Sequence, residues 1–504
     1  MLIDRLPGSS QLHREQVGGK AWGIHRMLEL GIPVPPAFVI GTSVCGQYFA
    51  GGRRLPAALT AELPAAVEWL EQVTGRTFGG GPQPLLVSVR SGAAISMPGM
   101  MDTILNLGFN DAVEEALAER TGDRAFAVNT RSRFVEHFAK TVGEPPSEQP
   151  WQQLSAAIAA VFDSWESPRA IDYRRDRNLP ASGGTAVTVQ AMVFGNLDRG
   201  SGTGVLFSRD PITGARQAYG EWLCQGQGED VVSGHQTPVG LDVLAGDLPS
   251  VHRQLLEYAR RLERDARDVQ DIEFTVESGN LWLLQTRSAK RTARAALKIA
   301  VDLQEEGLIS PSEALDLVTA DQMEALTRQE FAASTGGAAR ILANGRPACA
   351  GVASGIIVTD AAQAERRAAR GDDVILARPT TNPDDVHVMS LVAGVLTELG
   401  GATSHAAVVC RELGVPCIVG CGSGSLMHLQ GQEATMDAAA GRVFHGRLQT
   451  RAVADGDADL ERLREWARAE SQAKPGLSLA EMLRQRRLMR TLAACSNKGP
   501  PPPP

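Results

Sequence analysis

The chain is poor in several things that would each have pointed to a function. Its seven cysteines (Cys45, Cys224, Cys349, Cys410, Cys417, Cys421 and Cys495) are scattered and odd in number. No CxxC pair occurs, which excludes a ribbon-type zinc site and a disulfide framework and fits a reduced cytoplasmic compartment. Cys417 and Cys421 lie in a Val/Ile/Gly-rich run and read as small apolar packing residues. Positive charge is not in excess: 50 Lys and Arg stand against 58 Asp and Glu, a net charge of −8. Nucleic acid is therefore not an expected partner, because phosphate backbones attract basic surfaces. No apolar run approaches the roughly 18 residues of a spanning helix. The opening MLIDRLPGSS has no basic-then-apolar signal pattern. Neither membrane nor export is expected.

What is present is 504 residues of ordinary globular composition, 43% hydrophobic and 21% charged, enough for several domains. Over residues 1–290, short strand-like runs such as Pro84–Gly92, Thr185–Gly195 and Gly279–Arg287 alternate with Gly-rich turns. About 111–173 the texture turns helical and amphipathic. Residues 291–344 read as a helical connector, with Ser310-Pro311 as an N-cap and first-turn proline. Residues 345–450 alternate strands and helices and close in a strand–turn–strand around Gly441. Residues 451–504 read as a charged helical tail that caps the second domain or awaits a partner, and end in a disordered polyproline run. The fold class is α/β.

The most informative stretch is Thr397–Gly422, TELGGATSHAAVVCRELGVPCIVGCG. A strand runs into the Gly400-Gly401 turn, and a helix follows over Ala406–Leu413. His405 then sits at a helix N-terminus, where free N–H groups and the dipole stabilise an anion. Thr403 and Ser404 can cap the helix or donate to phosphate oxygens. An imidazole is a competent nucleophile near neutral pH. A lone histidine at a helix start is more often structural; the GG-x-TSHAA context sets this one apart. The other histidines have no comparable context.

The first 290 residues supply candidates for a nucleotide site. Lys20 follows a Gly-Gly turn that opens a helix. Arg90 lies on a strand ahead of a Gly- and Met-rich loop, able to clamp phosphates bidentately. Met97, Met100 and Met101 read as core packing. Glu221, Glu229 and Asp230 fall in a Gly-rich loop, as ribose or adenine partners or as a solvated acidic turn. Asp271 and Glu273 are two apart on one strand, as are Gln285 and Arg287 on the next. A hairpin gathers all four on one surface. Two carboxylates with an amide oxygen suit Mg²⁺, which keeps water and substrate phosphates as its other ligands.

These segments resemble the pyruvate phosphate dikinase family. GGATSHAAVV with RELGVPCIVG is similar to its phosphohistidine swivelling domain, as are Arg378–Met389 and Asp437–Val443. SVRSGAAISMPGMMDTILNLG (88–108) and the DIEF…LQTR hairpin are similar to its ATP-grasp domain, in the same order. The resemblance implies an α+β ATP-grasp domain followed by a compact α/β phosphohistidine domain. It implies that His405 carries the phosphoryl group, with Arg90 and Thr403 as catalytic companions. The implied nucleotide contacts are Lys20, Arg90, Arg133, Glu221, Glu229, Asp230, Gln285 and Arg287. The implied Mg²⁺ ligands are Asp271 and Glu273, joined by Gln285. One departure is clear: the family usually has Arg before the Gly pair, where this chain has Leu399, and Arg is the natural phosphate partner.

The family's C-terminal pyruvate/phosphoenolpyruvate barrel is not found in these 504 residues. The leading reading is a dikinase-like phosphotransferase using ATP and inorganic phosphate, passing phosphoryl onward to pyruvate/phosphoenolpyruvate on an acceptor domain of another chain. A small-molecule phosphotransferase similar to rifampin phosphotransferase and a non-catalytic nucleotide-sensing subunit are the alternatives. A homo-oligomer stays open.

Overall fold

The structure is a computed structural model. It describes all residues except 1, 9–11, 96, 98–100, 177–178, 181–182, 233–236, 327–329, 332–339, 382–384, 449, 452–456, 472–476 and 497–504. The expected polyproline end and Met100 lie outside the described residues.

Two antiparallel five-stranded sheets form the frame of the N-terminal half. The first runs in the order Ile3–Leu6, Ala37–Ile40, Ala186–Ala191, Val87–Gly92, Thr103–Leu107. The second runs Val239–Gly240, Tyr219–Cys224, Gly202–Phe207, Gln270–Glu277, Asn280–Ser288. Between the last two strands of the first sheet to be made, Thr103–Leu107 and Ala186–Ala191, the chain inserts helices Asp111–Thr121, Arg124–Val142, Pro150–Ser164 and Pro168–Asp176. Their boundaries are locally encoded. The Asn110 and Asp123 side chains accept the N–H groups of Val113 and Phe126, and Gly122 and Gly143 end two helices at φ +67° and +90°. Phe134, Phe138, Leu154, Ile158 and Phe162 carry the apolar faces of these helices into one core with Val87 and Val89 of the sheet. Each such side chain contributes about 1.5–3 kcal/mol by burial.

The C-terminal half is an eight-stranded mixed sheet. Its centre is the parallel run Val352–Val358, Val374–Arg378, Gly394–Thr397 and Cys417–Val419. The hairpin Glu433–Asp437/Arg442–His445 turns at Gly441, whose φ is +67°. The edge strand Ile341–Asn344 pairs with Arg442–His445, although the sequence placed it in the helical connector. Its four residues alternate too briefly to be told from a helix end. Cys417 is buried in this sheet's core and Cys421 packs at its margin.

The tail helices Ala458–Ser471 and Leu479–Ser496 lie neither on the mixed sheet nor free. They pack on the connector helices Ala293–Glu305, Pro311–Asp316 and Ala320–Leu326, sharing one core through Leu463, Ala467, Met482 and Leu483. Arg486 fixes the arrangement by donating to Asp316, Glu470 and Ser312. No helix among the described residues is long and apolar enough to cross a membrane.

Candidate active site

The hairpin Gln270–Glu277/Asn280–Ser288 sets Asp271 opposite Arg287 and Glu273 opposite Gln285. Strand alternation then points all four to one side. Arg287 Nε donates to Asp271 Oδ2 at 2.8 Å, and Gln285 Nε2 to Glu273 Oε1 at 3.3 Å. Arg90, from the other sheet, donates through Nη2 to Glu273 Oε2 at 3.1 Å and to Gln285 Oε1 at 3.3 Å.

Lys20 reaches this cluster because the helix Arg14–Glu29 kinks at Gly18 (φ 75°, ψ 161°). A Cβ at Gly18 would stand 1.8 Å from the Gly92 carbonyl oxygen, so only glycine permits the approach. Gly19 N–H donates to Ala93 O at 2.9 Å. The Gly-Gly-Lys turn is thereby sewn to the strand that carries Arg90.

Lys20, Arg90 and Arg287 face Asp271 and Glu273, three cations against two carboxylates. Burial, then Arg90, pushes the Lys20 ammonium well below its ordinary value, against the pull of Glu273. Burial would raise the Glu273 carboxyl, but Arg90, Arg287 and Lys20 outweigh it and hold it low. The surplus positive charge is what a polyphosphate would neutralise. Asp271 Oδ1 is buried without a hydrogen-bond partner, and an acceptor in that condition suits a cation. Among the described residues no group of three or more His, Cys, Asp or Glu is arranged to hold a metal alone. That agrees with an ion bound by two carboxylates, with Gln285 at hand, and completed by phosphates and water. The residues therefore fit Mg²⁺.

His405 opens the helix His405–Leu413, with Ser404 as N-cap. Ser404 Oγ and His405 Nε2 are buried and unpartnered. Burial lowers the His405 pKa, with Asp385 opposing, so the ring is neutral and nucleophilic at neutral pH. A single cavity of about 1790 Å³ is lined by Lys20, Arg90, Arg133, Asp230, Asp271, Glu273, Gln285, Arg287, Thr403 and His405. Arg133 Nη1 holds both Asp230 oxygens at 3.1 Å. Met97 and Met101 also face the cavity while packing on the first core.

Glu221 is placed differently from the sequence expectation. It is 2% exposed at its side chain and is not part of the cavity wall. Its carboxylate accepts Ala402 N–H at 2.9 Å, Thr403 N–H at 3.0 Å and the Thr403 hydroxyl. Arg346 Nη1 adds a contact at 3.3 Å. With these donors satisfied, Glu221 has no oxygen to offer a nucleotide in this arrangement; it joins the two halves instead. Gly401 makes this possible, since a Cβ there would lie 2.3 Å from the Glu221 oxygens. Glu229 falls in the short helix Gly228–Val232, its side chain outside the described residues.

Further residues bear on the site, some of them not singled out in the sequence. Thr380 and Thr381 line the cavity from the C-terminal half. Glu412 Oε1 accepts from Tyr173 at 3.0 Å and Lys290 at 3.2 Å, bridging the halves. Leu399 holds no phosphate-directed group; its N–H donates to Pro379 O at 3.0 Å.

Comparison with known proteins places these features. Residues 52–257 match the pyruvate phosphate dikinase AMP/ATP-binding domain, and residues 371–441 match the PEP-utilising enzyme mobile domain. The chain is 38% identical over 514 residues to a pyruvate, phosphate dikinase of Clostridium symbiosum, covering 90% of this chain and 59% of that protein. It is 42% identical to pyruvate, phosphate dikinase 2 of Zea mays, covering 81% and 51%, and 41% identical to the enzyme of Rhizobium meliloti (strain 1021), covering 86% and 56%. The chain spans about half to three-fifths of the length of these relatives. Residues 52–257 and 371–441 thus carry the nucleotide-binding and mobile domain types of this family, and the chain is similar to pyruvate, phosphate dikinases over 81–90% of its own length.

Proposed function

We propose that this chain uses ATP to phosphorylate its own His405 and then passes phosphoryl on. The observation that carries the reading is that His405 and the Lys20–Arg90–Arg287 cluster line one cavity. Lys20, Arg90 and Arg287 grip the phosphates. Asp271 and Glu273, with Gln285, hold Mg²⁺, which supplies charge neutralisation on phosphate oxygens. Arg133 and Asp230, which also line the cavity, take the nucleoside end. Phosphoryl transfer needs little beyond such positioning and electrostatics.

In the dikinase form of the reaction, neutral His405 attacks the β-phosphorus of ATP. A bond forms from the imidazole nitrogen to phosphorus, and AMP leaves with the bridging oxygen. Inorganic phosphate then takes the terminal phosphoryl as pyrophosphate and leaves phosphohistidine. The mobile domain swings away to deliver that group, a slow gating motion. Pyruvate, which the names of the relatives contain, is the proposed acceptor, taken to phosphoenolpyruvate on a separate acceptor domain.

The test is labelling with ATP carrying radiophosphorus at either the β or the γ position, with Mg²⁺ and without inorganic phosphate. Acid-labile label from both positions, with AMP released, is expected. Label from the γ position alone, with ADP released, would replace the dikinase step with a simple histidine kinase step. No label from either position would refute the reading.

A further inference from the structure

At the C-terminal end of the His405 helix lies Arg411, 3% exposed. Every hydrogen bond it makes among the described residues goes to a backbone carbonyl. Nε donates to Lys290 O at 3.1 Å, and Nη1 to Ala348 O at 3.2 Å and Ala402 O at 2.8 Å. Its guanidinium carbon sits 5.4 Å from the centroid of the Phe207 ring. Burial lowers its pKa, and Nη2 is buried without a partner.

Among the described residues no carboxylate makes an ion-pair contact with it, Asp271 acting only at longer range, and a buried cation so weakly paired is a costly way to fill space. The partners indicate what it does. Lys290 and Phe207 belong to the nucleotide-binding half, Ala348 to a strand of the mobile half, and Ala402 to the loop that delivers His405. Ala402 is gripped from both sides: its carbonyl by Arg411, its N–H by Glu221. Arg411 is outside the cavity wall, so it reaches the nucleotide only through what it holds, the Ala402 loop and the wall residues Lys290 and Phe207.

We propose that Arg411 is a positioning residue for phosphoryl transfer. Resting on the function proposed above, it braces the loop before His405 from within the mobile half and, when the halves are docked, ties that loop to Lys290 and Phe207 of the nucleotide-binding half. The guanidinium fork spans three carbonyls in one plane, which an ammonium cannot do. A displacement of about 1 Å at a reacting group can cost about 100-fold in rate.

The experiment uses the full chain with Arg411→Met and Arg411→Lys. Three quantities are read: single-turnover labelling of His405 from ATP, equilibrium nucleotide affinity, and labelling of His405 by phosphoramidate. The last reaction breaks the reagent's P–N bond, forms one to the imidazole and releases ammonia, with no docked nucleotide required. Arg411→Met is expected to lower ATP labelling about 100-fold, with Arg411→Lys between it and wild type. Nucleotide affinity stays within about twofold and phosphoramidate labelling is retained, because no side chain of the phosphate cradle is replaced. Wild-type ATP labelling in Arg411→Met would overturn the proposal. So would a parallel fall in nucleotide affinity, or loss of phosphoramidate labelling in both variants, which would make the role one of folding alone. A wild-type protein that labels with phosphoramidate but never from ATP would remove the proposed function, and this inference with it.

Discussion

The phosphate cradle and the loop before His405 treat charge in opposite ways. In the cradle, strand register sets Asp271 against Arg287, and Glu273 meets Arg90 where the two sheets face each other. The loop Gly400-Gly401-Ala402-Thr403-Ser404 has no charged side chain of its own. It takes Glu221 from the nucleotide-binding half and Arg411 from the helix that follows it in its own half. A cradle on paired strands is preorganised and needs no partner to hold its shape. The support that Glu221 supplies is present only when the two halves are docked. The same chain can therefore keep its nucleotide site rigid and its phosphoryl carrier movable.

Replacing the carrier should break this contrast most completely. His405→Ala is expected to lose all acid-labile label while binding ATP with unchanged affinity in an equilibrium titration. The wild-type rate should also report the ring's environment. Attack requires neutral imidazole and burial lowers the His405 pKa from its ordinary value of 6.5, so the acid limb of the single-turnover rate should be centred below pH 6.5. An acid limb centred above pH 6.5 would contradict the buried placement.

Next in size is the cradle. Arg90→Met removes a cation aimed at the transferring group and leaves Glu273 without its partner. A fall of about 10²–10³-fold in labelling rate is expected, as for loss of one preorganised donor, together with weaker nucleotide binding.

Glu221→Gln separates the two regions. A carboxylate's hydrogen bonds contribute about 1.5–3 kcal/mol each, so losing its charge should cut labelling by about tenfold or more through the docked population. Nucleotide affinity should not change. A matching loss of affinity would return Glu221 to the nucleotide site, where the sequence had put it. Smallest is Tyr173→Phe, which removes one contact to Glu412. A net hydrogen bond of about 1 kcal/mol predicts about a fivefold effect at most on labelling rate, with no change in the thermal midpoint of either half.

Much of the cradle was legible because it is local. Asp271, Glu273, Gln285 and Arg287 lie within one hairpin, and alternation alone puts them on one face. His405 was legible because a Gly pair and small residues before a helix leave free donors. The contacts that hold the loop were not. Glu221 meets Ala402 and Thr403 across about 180 positions, and nothing in YGEWLC marks its partner. Arg411 reads as one more charge on an amphipathic helix until the fold buries it. The tail was misplaced for the same reason. The apolar stripe of Leu463, Ala467 and Met482 says that something covers it, not that the connector helices do.

The central claim is that His405 takes phosphoryl from nucleotide held by its own chain. The direct measurement is the single-turnover rate constant for acid-labile labelling of His405 by β-labelled ATP, followed over a hundredfold range of protein concentration. A rate constant independent of protein concentration, with the label mapped to His405 and absent from His405→Ala, is the predicted result. A rate that climbs in proportion to protein concentration, or label that survives in His405→Ala, would contradict the account.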